Sequence, residues 1–192
     1  LQNNTTGSLN TALGKDALKA NTTAGANTAV GHAALLLNVT GESNTAVGSS
    51  CLTNNTASNN TAMGRNALNA NTSGENNTAI GSNTLDLCTT GARNVAVGSF
   101  AMTNSTTGAA NVAVGVGALG ANTTANDNVG IGVAALENNT TGESNTACGR
   151  YALNANTTAS NNTAFGRSAL IVNTIGAENT AVGALSLDAN TT

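Results

Sequence analysis

The chain has 192 residues, a formal net charge of −3, 8% charged residues, no proline, no tryptophan, one tyrosine and two phenylalanines. That balance excludes a globular core built on aromatics and gives no electrostatic footprint for nucleic acid or an anionic membrane surface. The longest aliphatic stretch, Ala33 to Leu37, is far too short to span a bilayer.

Taken in order, the chain is one phrase repeated. Its glycines fall at Gly14, Gly31, Gly48, Gly64, Gly81, Gly98, Gly115, Gly132, Gly149, Gly166 and Gly183, spaced by 17 residues except for 16 between Gly48 and Gly64. A fixed short period of this kind marks a solenoid or fibrous array. With each glycine as position 0, the line reads Asn(−4)-Thr-Ala-Val-Gly(0)-x-x-Ala(+3)-Leu(+4)-x-x-Asn(+7)-Thr-Thr-Gly/Ala(+10)-x-x. Residues 1–192 form a single array of about eleven coils with no linker. The chain opens on Leu1-Gln2-Asn3 and closes on Asn190-Thr191-Thr192, both partway through a repeat, which reads as a fragment of a longer fibrous protein. The order of residue types in fixed columns argues against disorder despite the abundance of Asn, Thr and Gly.

Two elements recur in each copy. Positions −3 and −1 share a face, as Thr28 with Val30, Val95 with Val97 and Val129 with Ile131. Positions +4, +6 and +8 share another, as Leu18, Ala20 and Thr22, or Leu35, Leu37 and Val39. Both read as short half-buried strands, and a glycine in every copy with Asn-Thr-Thr-Gly punctuation disfavours helix. Coils stacked ~4.8 Å apart predict a rod on the order of 50 Å long, with apolar −1 and Leu +4 inside. The short copy, Asn55-Thr56-Ala57-Ser58-Asn59-Asn60, lacks one threonine in a predicted turn.

Every charge falls at +1, +2, +5, +11 or +12, from Lys15, Arg65, Arg150 and Arg167 at +1 to Glu42, Glu75 and Glu143 at +11. These columns are predicted bends facing water, since an unpaired buried charge is costly. Alternation then turns −2 and +3 outward, yet both stay small: Ala29, Ala46, Ala62 and Gly130 at −2, Ala34, Ala67 and Ala118 at +3. A uniformly small outer face predicts chains packed side by side along the rod, most simply as a parallel homotrimer.

Asn94-Val95-Ala96-Val97-Gly98 and Asn128-Val129-Gly130-Ile131-Gly132 resemble the Ser-Val-Ala-Ile-Gly phrase of the YadA-type head repeats of trimeric autotransporter adhesins. The line from Asn145-Thr146-Ala147-Cys148-Gly149 to Asn156-Thr157-Thr158 resembles the repeat shafts of phage tail fibres and related bacterial surface fibres. The first resemblance implies a parallel β-roll of three chains on a bacterial surface, although the family's repeat is a few residues shorter. The expected fold is therefore all-β, a parallel β-solenoid (β-roll) of 17-residue coils in a parallel homotrimeric fibre.

Nothing points to catalysis, a cofactor or a metal. His32 is the sole histidine, on a bend. Cys51, Cys88 and Cys148 occupy different columns (+3, +7 and −1), so stacking does not pair them. Calcium-binding repeats need a recurring acidic column, and none is present. Gly115-Val116-Gly117 and Gly130-Ile131-Gly132 are repeat glycines rather than phosphate loops. Phe100 and Tyr151, at +2, are expected to be exposed; they could serve as contact points, but aromatics exposed singly usually carry no meaning. The strongest signal is asparagine at −4 in every copy: Asn10, Asn27, Asn44, Asn60, Asn77, Asn94, Asn111, Asn128, Asn145, Asn162 and Asn179. Stacked amides predict a structural ladder, and asparagine also tolerates the left-handed backbone of tight turns. Asn21, Asn71, Asn122, Asn139 and Asn156 fit the Asn-x-Ser/Thr pattern, and alternation places these +7 residues outward with Thr +9, as weak candidates for glycosylation.

The functional expectation is the structural shaft of an extracellular fibre or adhesin, on a cell surface or a virion. Its partners are copies of itself and, along the bends or at a tip, a host-surface or glycan ligand. Nucleic acid and membrane insertion are not expected. The alternative is an ice-binding or glycan-decorated single-chain solenoid, with Asn +7 and Thr +9 as its outward file.

Overall fold

The computed structural model describes residues Leu1 to Thr192 as an all-β parallel solenoid. Each repeat contributes one three-residue strand, from β1 (Thr11–Leu13) to β11 (Thr180–Val182), and all eleven form one parallel sheet in sequence order. Like pairs with like: between β5 (Thr78–Ile80) and β6 (Val95–Val97), Thr78 faces Val95, Ala79 faces Ala96 and Ile80 faces Val97. The short copy keeps this register, with Thr45 on Thr61 and Val47 on Met63, so its missing threonine is absorbed in a turn.

The strands are short because each ends on the repeat glycine. At Gly98 φ is +132°, closed to L side chains, and a Cβ there would lie 2.5 Å from the Gly115 carbonyl oxygen. The backbones of successive corners therefore touch, and only glycine fits. A turn follows in which the Ala101 N–H donates to the Gly98 carbonyl (3.2 Å), with Phe100 at φ 60° and Met102 at φ 51°.

The second predicted strand is not one. Leucine at +4 lies in the left-handed region in coil after coil, from Leu18 (φ 47°) to Leu187 (φ 49°). Left-handed backbone costs a non-glycine residue roughly 1–2 kcal/mol. Two things offset it. From Leu18 to Leu170 the +4 side chain is fully buried, and its N–H donates to the +3 carbonyl of the next coil, as Leu119 to Ala135 at 3.0 Å. Only 20 of the 119 backbone hydrogen bonds lie within strands, so the turn walls carry most of the ladder between coils.

The left-handed residue also breaks alternation, and this corrects the expected interior. Ala118 and Leu119, neighbours at +3 and +4, are both fully buried. Leu37, Leu87 and Val172 at +6 are exposed instead of sharing the face of Leu +4. In the strand the expected faces are exchanged. Alanine at −2 (Ala29, Ala46, Ala62, Ala79) is fully buried, whereas apolar −1 points outward. The coil is thin, and one leucine per rung fills the space across from the strand, leaving room for a methyl group. At Gly130 even a methyl group would be tight: a Cβ there would lie 3.2 Å from the Ala135 carbonyl oxygen and 3.3 Å from Leu119 Cγ. Small residues at −2 and +3 therefore line the interior rather than an outer face.

Candidate assembly face

Two buried asparagine columns hold the backbone in place. At −4, the Oδ1 of each asparagine accepts the backbone N–H of the next one along the rod, at 2.9–3.0 Å in every step from Asn10 to Asn179. Its Nδ2 donates to the +10 carbonyl one rung on, as Asn27 to Gly41 (2.9 Å) and Asn94 to Gly108 (2.8 Å). Direct amide-to-amide bonds occur at Asn94, Asn111, Asn145 and Asn162. The −4 column is thus mainly a side-chain-to-backbone ladder. The left-handed backbone belongs to its preceding neighbour, such as Ala26 or Asn76, and not to the asparagine.

The +7 asparagines do not face outward. Asn21, Asn71, Asn122, Asn139 and Asn156 are all fully buried, so these five positions offer no amide to a glycan in the folded chain. Each turns inward and donates to the +10 carbonyl of its own turn, as Asn139 to Gly142 (2.9 Å), and several also ladder to one another, as Asn156 to Asn139 (2.8 Å). A side-chain amide buried between carbonyls satisfies groups that water cannot reach, which is why the column prefers asparagine. In the short copy Asn55 reaches Ala57 (2.7 Å) instead, two residues on, and the bridge survives the deletion. Thr +9, including Thr124 and Thr141, is exposed, but without Asn +7 the expected outward file does not exist.

What the fold leaves outside is the other face of the sheet. Positions −3 and −1 of every strand project from it, with Ile131 40%, Met63 47% and Phe165 57% exposed. In the middle of the rod the row is wholly β-branched: Val95, Val97, Val112, Val114, Val129 and Ile131. On either side threonine takes −3, from Thr11 to Thr78 and from Thr146 to Thr180. No charged residue lies anywhere between −4 and 0. Eleven rungs ~4.8 Å apart, with two outward side chains per rung, make a flat uncharged strip on the order of 500 Å². That is comparable to the largest apolar patch of an ordinary monomer and somewhat below one partner's share (~800 Å²) of a standard interface.

One signal for this face was present in the sequence. A thin interior tolerates one size, and −2 is alanine or glycine throughout. Position −1 varies from valine to leucine, methionine, cysteine and phenylalanine, the latitude of a column outside the coil.

The remaining candidates stand apart. His32 is exposed on its bend, and no three His, Cys, Asp or Glu side chains come together in a group able to hold a metal ion. Cys51 and Cys88 are buried free thiols, pushed up to about 12 and about 11 by burial; Cys148 is half-buried on the outer face. Tyr151 is half-exposed and carries the Arg150 guanidinium 4.6 Å above its ring. No helix is long and apolar enough to cross a membrane. No protein-family model, curated protein or solved structure matches the chain.

Proposed function

We propose that this solenoid is the structural shaft of an extracellular fibre, built from parallel copies that pack through the −3/−1 face of the sheet, three to a rod. The observation that supports it is the uncharged strip along the whole length of the sheet, an apolar −1 row beside a −3 row of threonine that turns to valine at the centre. A strip of this size is small for a two-chain interface; around a threefold axis each chain meets two neighbours and covers more of it. Parallel chains in register also bring identical rows together, which suits a sequence whose rows repeat. The resemblance to trimeric adhesin heads and to fibre shafts accords with that arrangement. The shaft supplies length and rigidity and has no catalytic role; recognition belongs to the bends or to a tip.

Sedimentation of the purified protein tests this. The native chain is expected as a multimer. Val112→Arg, at the centre of the strip, is expected to give a folded monomer, because three guanidinium groups would be forced together without partners. Cys148, on the same face, is a built-in reporter: mild oxidation of the multimer should yield disulfide-linked pairs through this residue. A native chain that sediments as a folded monomer, unaffected by Val112→Arg, would refute the assembly.

A second reading uses the same face. Thr11, Thr28, Thr45, Thr61 and Thr78 form a straight outward file beside an apolar one, a regular array on which water could order into ice. Valine at −3 in the middle coils and the bulk of Met63 and Phe165 interrupt it. Thermal hysteresis in a monomeric preparation would favour this alternative.

A further inference from the structure

One place on the corner opposite the asparagine columns departs from the repeat. Gly117 at +2 and Gly120 at +5 are the only glycines in those two columns. The fold does not require Gly117, and at Gly120 a Cβ would lie 3.1 Å from the Gly117 carbonyl oxygen, a close contact that the turn meets by giving a few tenths of an ångström. Position +2 carries Phe100, Tyr151 and Leu185 at nearly the same backbone angles, and a Cβ on Gly117 would meet nothing closer than Glu137 Oε1 at 3.6 Å. Elsewhere +5 accepts threonine, aspartate, isoleucine and glutamate. The two glycines open a notch of about 320 Å³, the one concavity on the rod.

Its walls are chemically different. On one side, Phe100 presents an apolar ring that is 51% exposed. Two rungs away, roughly 10 Å, Glu137 lines the other side. Asn154 Nδ2 donates to Glu137 Oε2 at 3.0 Å, which fixes the carboxylate and leaves Oε1 toward the notch. Asn138 Nδ2 is committed to the Asn154 carbonyl (3.0 Å), so Asn138 offers its Oδ1. The Asn104 side chain makes no hydrogen bond within the chain and offers both donor and acceptor. No lysine, arginine or histidine lines the notch.

We propose that this notch binds a neutral or amino sugar as a single pyranose unit. An aromatic wall takes the C–H face of such a ring, the fixed carboxylate and the Asn138 amide on the opposite wall take its hydroxyls, and Asn104, on the same coil as Phe100, adds a further polar contact, the division of labour usual in small ligand sites. The volume is at the low end for ligand clefts (~300–1,000 Å³), enough for one ring and its substituents. The sole charge is negative, which disfavours sialic or uronic acids and phosphates. The notch gives the proposed shaft a ligand of its own and in that sense rests on the fibre reading; binding and assembly are read by separate measurements.

Backbone amide NMR tests it on the full chain, because Gly117 and Gly120 provide reporters at the floor. Methyl glucopyranoside, methyl galactopyranoside and N-acetylglucosamine are titrated in turn, with N-acetylneuraminic acid as the anionic probe. Expected are saturable shifts of the Gly117, Gly120 and Ala121 amides with at least one neutral sugar, and none with the acid. Gly120→Thr restores the residue of the preceding coil; it should leave the rest of the spectrum unchanged and abolish the shifts. Phe100→Ala should weaken binding by about tenfold. Absence of shifts with every neutral sugar, equal binding of the anionic probe, or shifts that survive Gly120→Thr would each overturn the proposal.

Discussion

Asn111→Ala tests the asparagine ladder at a middle coil. The wild-type side chain is fully buried and makes three hydrogen bonds. Its Oδ1 accepts the Asn128 N–H (2.9 Å), and its Nδ2 donates to the Ala125 carbonyl (2.9 Å) and to Asn94 Oδ1 (3.2 Å). After truncation two of the partners keep another bond. The Ala125 carbonyl still receives Asn122 Nδ2 (3.3 Å), and Asn94 Oδ1 still receives the Asn111 N–H (3.0 Å). The Asn128 N–H is left with nothing, inside a coil that water does not enter. One orphaned buried donor costs about 1–3 kcal/mol, and the other lost bonds and the small void add about 1 more, giving a loss of about 2–4 kcal/mol.

The loss should be local, because each coil of a solenoid contacts only its neighbours. Hydrogen exchange is therefore a better assay than a global melt, whose cooperativity can fail in long arrays. The Val112 and Val129 amides should lose protection by a factor of about thirty or more, while amides near β2 (Thr28–Val30) change little. Asn111→Asp keeps an acceptor but sets a carboxyl against the Ala125 carbonyl. Burial raises the folded pKa of the introduced carboxyl above its unfolded value of about 3.9. The variant should thus be most stable in acid and lose stability as pH rises from that unfolded value to the folded one. Thr124→Ala, an exposed site, is the control. If Asn111→Ala leaves exchange as the control does, the ladder contributes nothing measurable and the reasoning fails.

Leu136→Ala should cost about 2–5 kcal/mol in the same local sense, and Leu136→Asp should break the rod at that coil; equal exchange patterns for the two variants would contradict the interior assignment. Cys88 stands where every other copy but that of Ser105 carries asparagine, and below it Asn71 Oδ1 is buried without a partner, so Cys88→Asn should stabilise the chain by about 1 kcal/mol in denaturant titration. Alkali should weaken the fold. Burial raises the Cys51 and Cys88 thiols from 9.0 to about 12 and about 11, so above pH 9 the unfolded chain releases protons that the folded chain keeps. Stability should fall between pH 9 and about 11 by on the order of 1 kcal/mol per pH unit and thiol, and a thiol reagent at pH 8 should label Cys148 alone in the folded Val112→Arg monomer.

The period, the strand positions, the glycine corners and the water-facing charges were legible because each depends on a column keeping one residue type. Which side of the strand is inner was not, because alternation groups Thr28 with Val30 without saying which way they point. The usual guide, that the larger apolar residue is buried, failed at −1 because the interior had space only for Ala29. The second wall was misread for a different reason. Nothing in a leucine announces φ near 50°, and a strand pattern continued past Leu35 carries Leu37 inside when the kink sends it out. Asn139 was placed outside by the same unbroken alternation. The notch was legible in principle, since Gly117 and Gly120 break two columns that hold no other glycine, but its walls come from coils two rungs apart.

The exchange of faces reassigns the meaning of one substitution. Were alanine at +3 the contact between chains, Ala118→Arg would dissociate folded monomers. In the solenoid Ala118 is fully buried beside Leu119, and the Ala118 N–H donates to the Gly115 carbonyl (3.3 Å) to close the corner turn. An arginine there has no room, no carboxylate in the coil interior and no route to water except by opening the coil. Burying an unpaired charge costs several kcal/mol, more than one coil's share of stability can absorb. Ala118→Arg should therefore lose hydrogen-exchange protection around β7 (Val112–Val114) before any change in association, whereas Val112→Arg, six residues earlier, should keep its protection and lose only its partners. Exchange and sedimentation on the two variants separate the cases. If Ala118→Arg were fully protected and monomeric while Val112→Arg remained a multimer, the assignment of inside and outside in this coil would be reversed.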